Sequence, residues 1–501
     1  MWDMFVSGAP LAFRLDTLMM MSIGVLLGIL VGALPGFTTT MALAILLPLS
    51  FFVDPLVGIP FLLAVTKGGI YGGSIPAILV SIPGTGASMA TTFDGPALTK
   101  KGQSRKAMEM ALFASAFGDT ASSILTLFLI GPIAIIALKF GPPELAAIIL
   151  LSLVVITASA SGIFVKGLVM LVLGLFFGLV GQDPLGGVDR FTFDFFPLRS
   201  GIPLLPMLIG VFALPEVFEA LEKKGASLIT KAAGREGERL TLAEFKRCFR
   251  TILRSTGIGA AIGAIPGMGQ VIAAMVGYSA AKNASKHPET FGKGEIEGVA
   301  APEAANNAVN APTLVPLLTL GIPGDNLTAI LLGAFVANGL RPGPQLFEEQ
   351  GPLVFGILVA MVIANLLFLV IGYLTIPLFA RIVTIRKSLL LPLTVLFAVT
   401  GAYAFQSNEF DIFILVFFGI LGYVAKKLRF DVSPMVMGFI LGPVFEYALG
   451  QTLSMSQGSF LHFIFIERPI AAVVLVATRG SPGCCGAAPT NCGASRRPAT
   501  R

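Results

Sequence analysis

The sequence predicts an all-α polytopic membrane protein of about 11–12 transmembrane segments, arranged as two inverted repeats with paired broken-helix or re-entrant hairpins. Three observations lead there: the composition, a set of internal echoes, and the charge of corresponding loops. The 501 residues are 55% hydrophobic and only 12% charged, too few charges to cover a soluble surface. Apolar runs of near-spanning length recur along the chain, each long enough to be read against the roughly 20 residues that a membrane helix needs.

Residues 1–16 form an N-terminal segment. The first basic residue is Arg14 and no cleavage-like site follows the first apolar run, which argues against a secretory signal. Apolar segments follow at 17–34, 107–138, 145–160, 165–181 and 202–219, then at 256–281, 352–383, 388–404, 411–426 and 434–449. Gly32-Ala-Leu-Pro-Gly36 recurs as Gly263-Ala-Ile-Pro-Gly267, and Ile82-Pro-Gly84 as Ile322-Pro-Gly324. Pro206-Met207 with Gly210 and then Val217-Phe218-Glu219 recurs as Pro434-Met435 with Gly438 and then Val444-Phe445-Glu446. Three matches in the same order, at offsets of 231, 240 and 228, define a first repeat over 17–222 and a second over 256–450.

The stretch between them, 223–255, is a polar linker. From Glu222 to Arg254 it holds nine Lys/Arg against four Glu, which places it in the cytoplasm by the positive-inside rule. The loop after the first Ile-Pro-Gly, with Lys100, Lys101, Arg105 and Lys106, is basic; its counterpart holds Arg341 against Glu348 and Glu349. Opposite charge bias in matched loops suggests that the halves insert in opposite senses, the pattern of secondary transporters. Residues 451–478 form an incomplete final apolar segment, since Ile470 to Ala477 is too short to span. The Gly/Pro/Arg-rich tail 479–501 is expected to be disordered, and a shifted reading frame would account for it.

Irregular backbone at membrane depth must lie inside the bundle or against a water-filled cavity. Each Ile-Pro-Gly break should therefore face inward, where the half-helix after it presents free N–H groups and a positive dipole end. Two such tips near the midplane would make an anion site. The groups offered there are Gly84, Thr85 and Ser88 at the first break, and Gly324, Asp325 and Asn326 at the second. A polar cluster precedes each break: Lys67, Ser74 and the glycines 68, 69, 72 and 73 in one half, Glu303, Asn306, Asn307 and Asn310 in the other. Alignment on Ile-Pro-Gly sets Lys67 opposite Asn307.

Lys67 suits a substrate carboxylate, or else an ion pair with Asp94, Glu303 or Asp325. The glycines around it permit close helix approach, or unwinding that exposes carbonyls to a cation. Candidate substrate contacts are thus Lys67, Ser74, Gly84, Thr85, Ser88, Asn306, Asn307, Gly324, Asp325 and Asn326. Candidate cation contacts are Gly36, Thr38, Gly267, Asn310 and Asp325. Asp119 reads either as a cation ligand or as an interhelical hydrogen-bond acceptor. The competing reading of the breaks is that they are packing kinks.

An enzyme is disfavoured. The two histidines, His287 and His462, stand in no H-E-x-x-H, and a Lys67–Ser74 nucleophile pair would need a helix continuous through the glycines. Cys248, Cys484, Cys485 and Cys492 form no disulfide framework, and no G-x-x-x-x-G-K-[ST] loop indicates nucleotide-driven transport.

The chain resembles the large membrane subunit of the tripartite tricarboxylate transporters, the TctA family. The likeness rests on GALPG (32–36), GGIYGGSIPAILVSIPGTGAS (68–88), DGPALTKKG (94–102), GEIEGVAAPEAANNA (294–308), LGIPGDN (320–326), GAYAF (401–405) and LGPVFE (441–446), and spans about residues 17 to 475. It implies a bacterial inner-membrane permease for citrate-like tricarboxylates or related organic acids. It also implies two partners, a small membrane subunit and a periplasmic solute-binding protein, and no cofactor. Uptake would be symport driven by a cation gradient, sodium or protons. The alternatives are a stand-alone carboxylate/cation symporter and an ion channel.

Overall fold

Residues 2–34, 37–160, 164–183, 186–222, 238–382 and 387–479 are described by a computed structural model. Gly36, the first part of the linker (223–237) and the tail from 480 onward lie outside the described residues. The first half runs α1 (Trp2–Gly8), α2 (Leu15–Gly32), α3 (Thr39–Leu46), α4 (Pro55–Val80), α5 (Gly95–Lys100), α6 (Ser104–Ala137), α7 (Pro142–Ser159), α8 (Phe164–Gly178) and α9 (Leu204–Glu222). A two-stranded hairpin, Gly181–Gln182 with Asp189–Arg190, precedes α9. The second half runs α10 (Leu242–Gly263), α11 (Gly269–Ala284), α12 (Glu297–Asn307), α13 (Leu314–Leu320), α14 (Asn326–Ala337), α15 (Leu346–Ile382), α16 (Lys387–Gln406), α17 (Phe410–Lys427) and α18 (Ser433–Met455). Two short pieces close it, α19 (Phe460–His462) and α20 (Pro469–Arg479).

Among the described residues seven helices are long and apolar enough to cross a membrane, or eight if the pair 460–467 and 469–478, bent by 102°, forms one span. The expected count of 11–12 is therefore too high. It included runs that stop short, such as α8, and read 256–281 as one segment. That run is divided: α10 ends at Gly263, and the chain turns through Gly267 at φ +90° before α11 begins. The long helix 55–80 was absent from the sequence reading because its glycines and polar residues mask its apolar length.

The glycines of α4 do not unwind it. The helix is continuous and buried through Gly68, Gly69, Gly72 and Gly73. They serve close approach instead: a Cβ on Gly28 would lie 2.3 Å from the Val65 carbonyl, one on Gly32 2.3 Å from Gly69 O, and one on Gly68 2.3 Å from Val25 O. Helices α2 and α4 thus run side by side in the same direction with their backbones in contact, the packing that small residues permit in membranes. The interruption falls in the other half, where α12 stops at Asn307 and a run of turns over 308–313 leads to α13.

The second half repeats that pairing. A Cβ on Gly259 of α10 would meet Ala305 O of α12 at 2.1 Å, and one on Gly263 would meet Val309 O at 2.7 Å. The third echoed motif pairs crosswise: Gly210 of α9 abuts Leu415 O of α17, and Gly438 of α18 abuts Leu171 O of α8. Asp94, just after the first break, locks the halves together. Its Oδ1 accepts the N–H groups of Gly292, Gly294 and Glu295 at 2.8–2.9 Å, and its Oδ2 accepts the Tyr278 hydroxyl at 2.9 Å.

Helix α10 begins inside the predicted linker. Thr241 accepts the Glu244 N–H while Glu244 accepts the Thr241 N–H, a capping box. Lys106 of α6 donates to Glu238 and Glu244 at 2.8 and 2.7 Å, fastening this end of the linker to the first half. Partial burial opposes ionisation of Glu244, but the bonds from Lys106 and Thr241 outweigh it and hold its carboxyl at about 2.

Candidate functional site

Both Ile-Pro-Gly breaks are present, but they differ in build. At the first, α4 ends on Ser81 in the left-handed region (φ 60°) and the chain passes into a 3-10 turn over Ala87–Thr92, not an α-helix. Three of its backbone donors are already used: Gly84 N–H bonds Gly73 O at 3.0 Å, and the Thr85 and Ser88 N–H groups close a turn on each other's hydroxyls. At the second, Gly321 (φ +72°) ends α13 and Asp325 caps α14, its Oδ1 accepting the Thr328 N–H at 2.8 Å. The expectation of a free half-helix N-terminus thus fails at the first tip. At the second, a carboxylate already faces the positive end of the dipole.

The two breaks, the start of α3 and the second Gly-Ala-x-Pro-Gly turn, at Gly267, converge on one cavity of about 580 Å³. Its wall includes Thr38, Thr39 and Thr40 at the start of α3, Thr85 and Gly86 at the first break, and Gly267 with Gly269–Ile272 at the start of α11. Gly324, Asp325 and Asn326 come from the second break, and Glu216, Lys426 and Ser433 from α9, α17 and α18. The turns are physically joined, since Gly267 N–H bonds Gly324 O at 2.7 Å. Three helix N-termini, those of α3, α11 and α14, therefore point at one space. Thr38 caps α3 and Asp325 caps α14, but α11 has no side-chain cap.

Several polar atoms on this wall are unspent. Thr39 Oγ1 is buried without a hydrogen-bond partner, as is Asn326 Oδ1, while Asn326 Nδ2 donates to Ser433 Oγ at 2.8 Å. Lys426 is committed to Glu216 at 2.7 Å and Glu219 at 2.5 Å.

Of the sequence candidates, Thr38, Thr85, Gly267, Gly324, Asp325 and Asn326 line the cavity. Lys67 and Asn310 line a narrow cleft behind it, which shares Gln270, Asp325 and Leu327 with the cavity wall. There the Lys67 ammonium is 2.6 Å from Asp119 Oδ1, both side chains out of solvent. Asp119 also accepts Ser123 Oγ at 3.1 Å and Asn310 Nδ2 at 2.9 Å, and Gln270 Nε2 donates to Asn310 Oδ1 at 2.7 Å. Lys67 thus pairs with none of the three acids named from the sequence. Gly84 lies behind the cavity, packed on Gly32 and Gly73, and Ser88 closes its own turn. Ser74, Asn306 and Asn307 are buried near Glu303, away from the cavity lining.

Sequence reasoning missed Gln270, Thr39 and Ser433. Each lies one to three residues from a motif it did identify, at the first or second residue of α3, α11 or α18. A second cavity, about 600 Å³, lies on the far side of the second break, where Gly321 forms part of its wall with Arg199, Arg341 and Leu204.

The comparisons agree with the residues above. The profile of the Tripartite tricarboxylate transporter TctA family matches residues 18–437. An Agrobacterium vitis protein, the "Uncharacterized 52.8 kDa protein in TAR-I ttuC' 3'region", is 39% identical over 458 residues, covering 90% of each chain. Another from the same organism, the "Uncharacterized protein in TAR-II ttuC' 3'region", is 41% identical over 217 residues, 43% of this chain and 89% of its own length. No solved structure matches. The chain belongs to the TctA family: it is a multi-pass membrane component of a bacterial tripartite tricarboxylate transporter, and not an enzyme.

Proposed function

We propose that the cavity binds an organic tri- or dicarboxylate together with a coupling sodium ion, and that the chain carries both inward as the large permease subunit. The observation that carries this reading is the uncapped N-terminus of α11, whose first residues wall a cavity of small-molecule size. Free N–H groups at the positive end of a 16-residue helix favour a carboxylate without a fixed cation. The cation takes the acidic side of the same space, Asp325 with the unspent Thr39 and Asn326 oxygens, backed by Thr38, Gly267 and, through Gln270, Asn310.

The two halves act as inverted repeats. The matched pairings of α2 with α4 and α10 with α12 support this, as do the crossed pairings of α9 with α17 and α8 with α18. Helix α9 touches the second cavity at Leu204 and the first at Val211 to Glu216, and then leads into the basic linker. With the linker cytoplasmic, the first cavity opens inward, the second outward, and the backbone from Gly321 to Asn326 is the partition between them. A periplasmic binding protein delivers the substrate to the outer side, and a small membrane subunit completes the complex in the bacterial inner membrane.

The test is Met268→Asp, which places an acid at the N-cap of α11, where it meets the N–H groups meant for the substrate. Uptake of labelled di- and tricarboxylates by vesicles given the binding protein should lose at least about tenfold in apparent affinity, about 1.4 kcal/mol, with thermal stability kept. Unchanged uptake would overturn the assignment.

A further inference from the structure

We propose that Glu303 anchors a second cation site, for a sodium-sized monovalent ion, buried between the halves and separate from the cavity. The inference deepens the transport reading, yet its test needs no transport.

Glu303 lies on α12 and is fully buried. Ser74 Oγ of α4 is 2.6 Å from its Oε1, Thr91 Oγ1 bonds the same oxygen, and Ser115 Oγ of α6 is 3.2 Å from Oε2. These three are hydroxyls, and the Asn306 side chain also bears on the carboxylate. Three other buried acids have stronger compensation: Asp119 has Lys67, Glu109 has Arg105, and Asp94 has three backbone N–H groups. No cation among the described residues pairs with Glu303, and a buried carboxylate without one is costly.

The hydroxyls stabilise that charge only in part. Each can give one hydrogen to the carboxylate and still keep lone pairs on its oxygen. Ser74 Oγ and Thr91 Oγ1 both lie against Oε1 as hard oxygen ligands, with Ser115 Oγ on the other carboxylate arm. That donor set suits a hard cation, and no group of three His, Cys, Asp or Glu offers a transition-metal site among the described residues. A single carboxylate neutralises one positive charge; a divalent ion would leave a net charge buried.

An independent feature points the same way. Asn307, one turn beyond Glu303, donates from Nδ2 to Ser115 Oγ at 2.9 Å, while its Oδ1 is buried with no hydrogen-bond partner. An unspent amide oxygen beside the cage is a ligand waiting for a donor or a cation. The cage draws on α4, the Ala87–Thr92 turn and α6 from one half and α12 from the other, so a bound ion would tie the halves together.

The experiment uses the purified full chain in detergent, in choline chloride at constant ionic strength, with sodium added. The readouts are the thermal midpoint and equilibrium binding of ²²Na⁺. Sodium should raise the midpoint where potassium or choline does not, by the usual linkage between binding and stability. Glu303→Gln should lose one equivalent of bound sodium. Ser74→Ala and Thr91→Ala keep the charge but drop a ligand, and each should raise the half-saturating sodium concentration about tenfold. Asp325→Asn should keep the Glu303-dependent equivalent, so failure of the cavity's own cation reading shows in that variant alone. A folded Glu303→Gln protein that binds sodium like the wild type would overturn the proposal. So would Ser74→Ala and Thr91→Ala leaving the titration unmoved, which decides the matter even if Glu303→Gln misfolds.

Discussion

The Lys67–Asp119 pair joins α4 to α6 with both charges out of water, so removing one partner strands the other. Lys67→Met should cost about 3–5 kcal/mol, whereas Lys67→Met with Asp119→Leu should recover much of that. Thermal unfolding in detergent compares them; a double variant no more stable than the single would show the two charges to be uncoupled. The motif glycines separate in the same assay. A Cβ on Gly84 would lie 2.5 Å from Gly32 O, a backbone atom, while one on Gly324 meets Thr313 Cβ at 3.3 Å. Gly84→Ala should therefore lower membrane levels, and Gly324→Ala should fold and alter only uptake. Thr85, Asp325 and Asn326 could be placed from the sequence because a Pro-Gly break in an apolar run has to face a cavity. The partner of Lys67 could not. Asp119 lies 52 residues away on another helix, and no local pattern states which helix faces meet.

The α2–α4 contact is built from glycine and backbone, which leaves no side chain to yield. Gly28→Val should abolish assembly, since even its Cβ would sit 2.3 Å from Val65 O; the check is the yield of folded protein after detergent extraction. Normal yield would mean that the two helices are not held so close. The start of α10 responds to acid instead. The Glu244 carboxyl is held at about 2, below its usual 4.5, so its contribution is full above about pH 4.5 and fades as pH falls toward 2. Hydrogen exchange over 238–250 should rise through that window, and Lys106→Ala should move the rise to higher pH. Breaks and caps of this kind are local and were legible as residue patterns. Whether glycines unwind a helix or let another approach depends on the neighbour, so the sequence left both readings open for α4, of which close approach holds, and gave no sign of the interruption at 308–313.

Three motifs in one order pointed to two related halves; in the structure Gly32 and Gly263, and Gly210 and Gly438, each press on a neighbouring backbone carbonyl, while Gly84 and Gly324 meet different surroundings. The span count was not recoverable from hydropathy, because the shorter helices are as apolar as the spanning ones and differ in length. Two cavities lie along α9, and residues of the second break line both. The central claim is that carboxylate and cation bind together at the inner cavity, against α11 and Asp325. Its most direct measurement is the labelling rate of Thr40→Cys by a thiol reagent from the cytoplasmic side, in an otherwise cysteine-free, transport-competent chain. The account predicts that a carboxylate taken up by the complex slows labelling only when sodium is present, and leaves an Arg341→Cys control unchanged. Equal labelling of Thr40→Cys with and without substrate and sodium would contradict it.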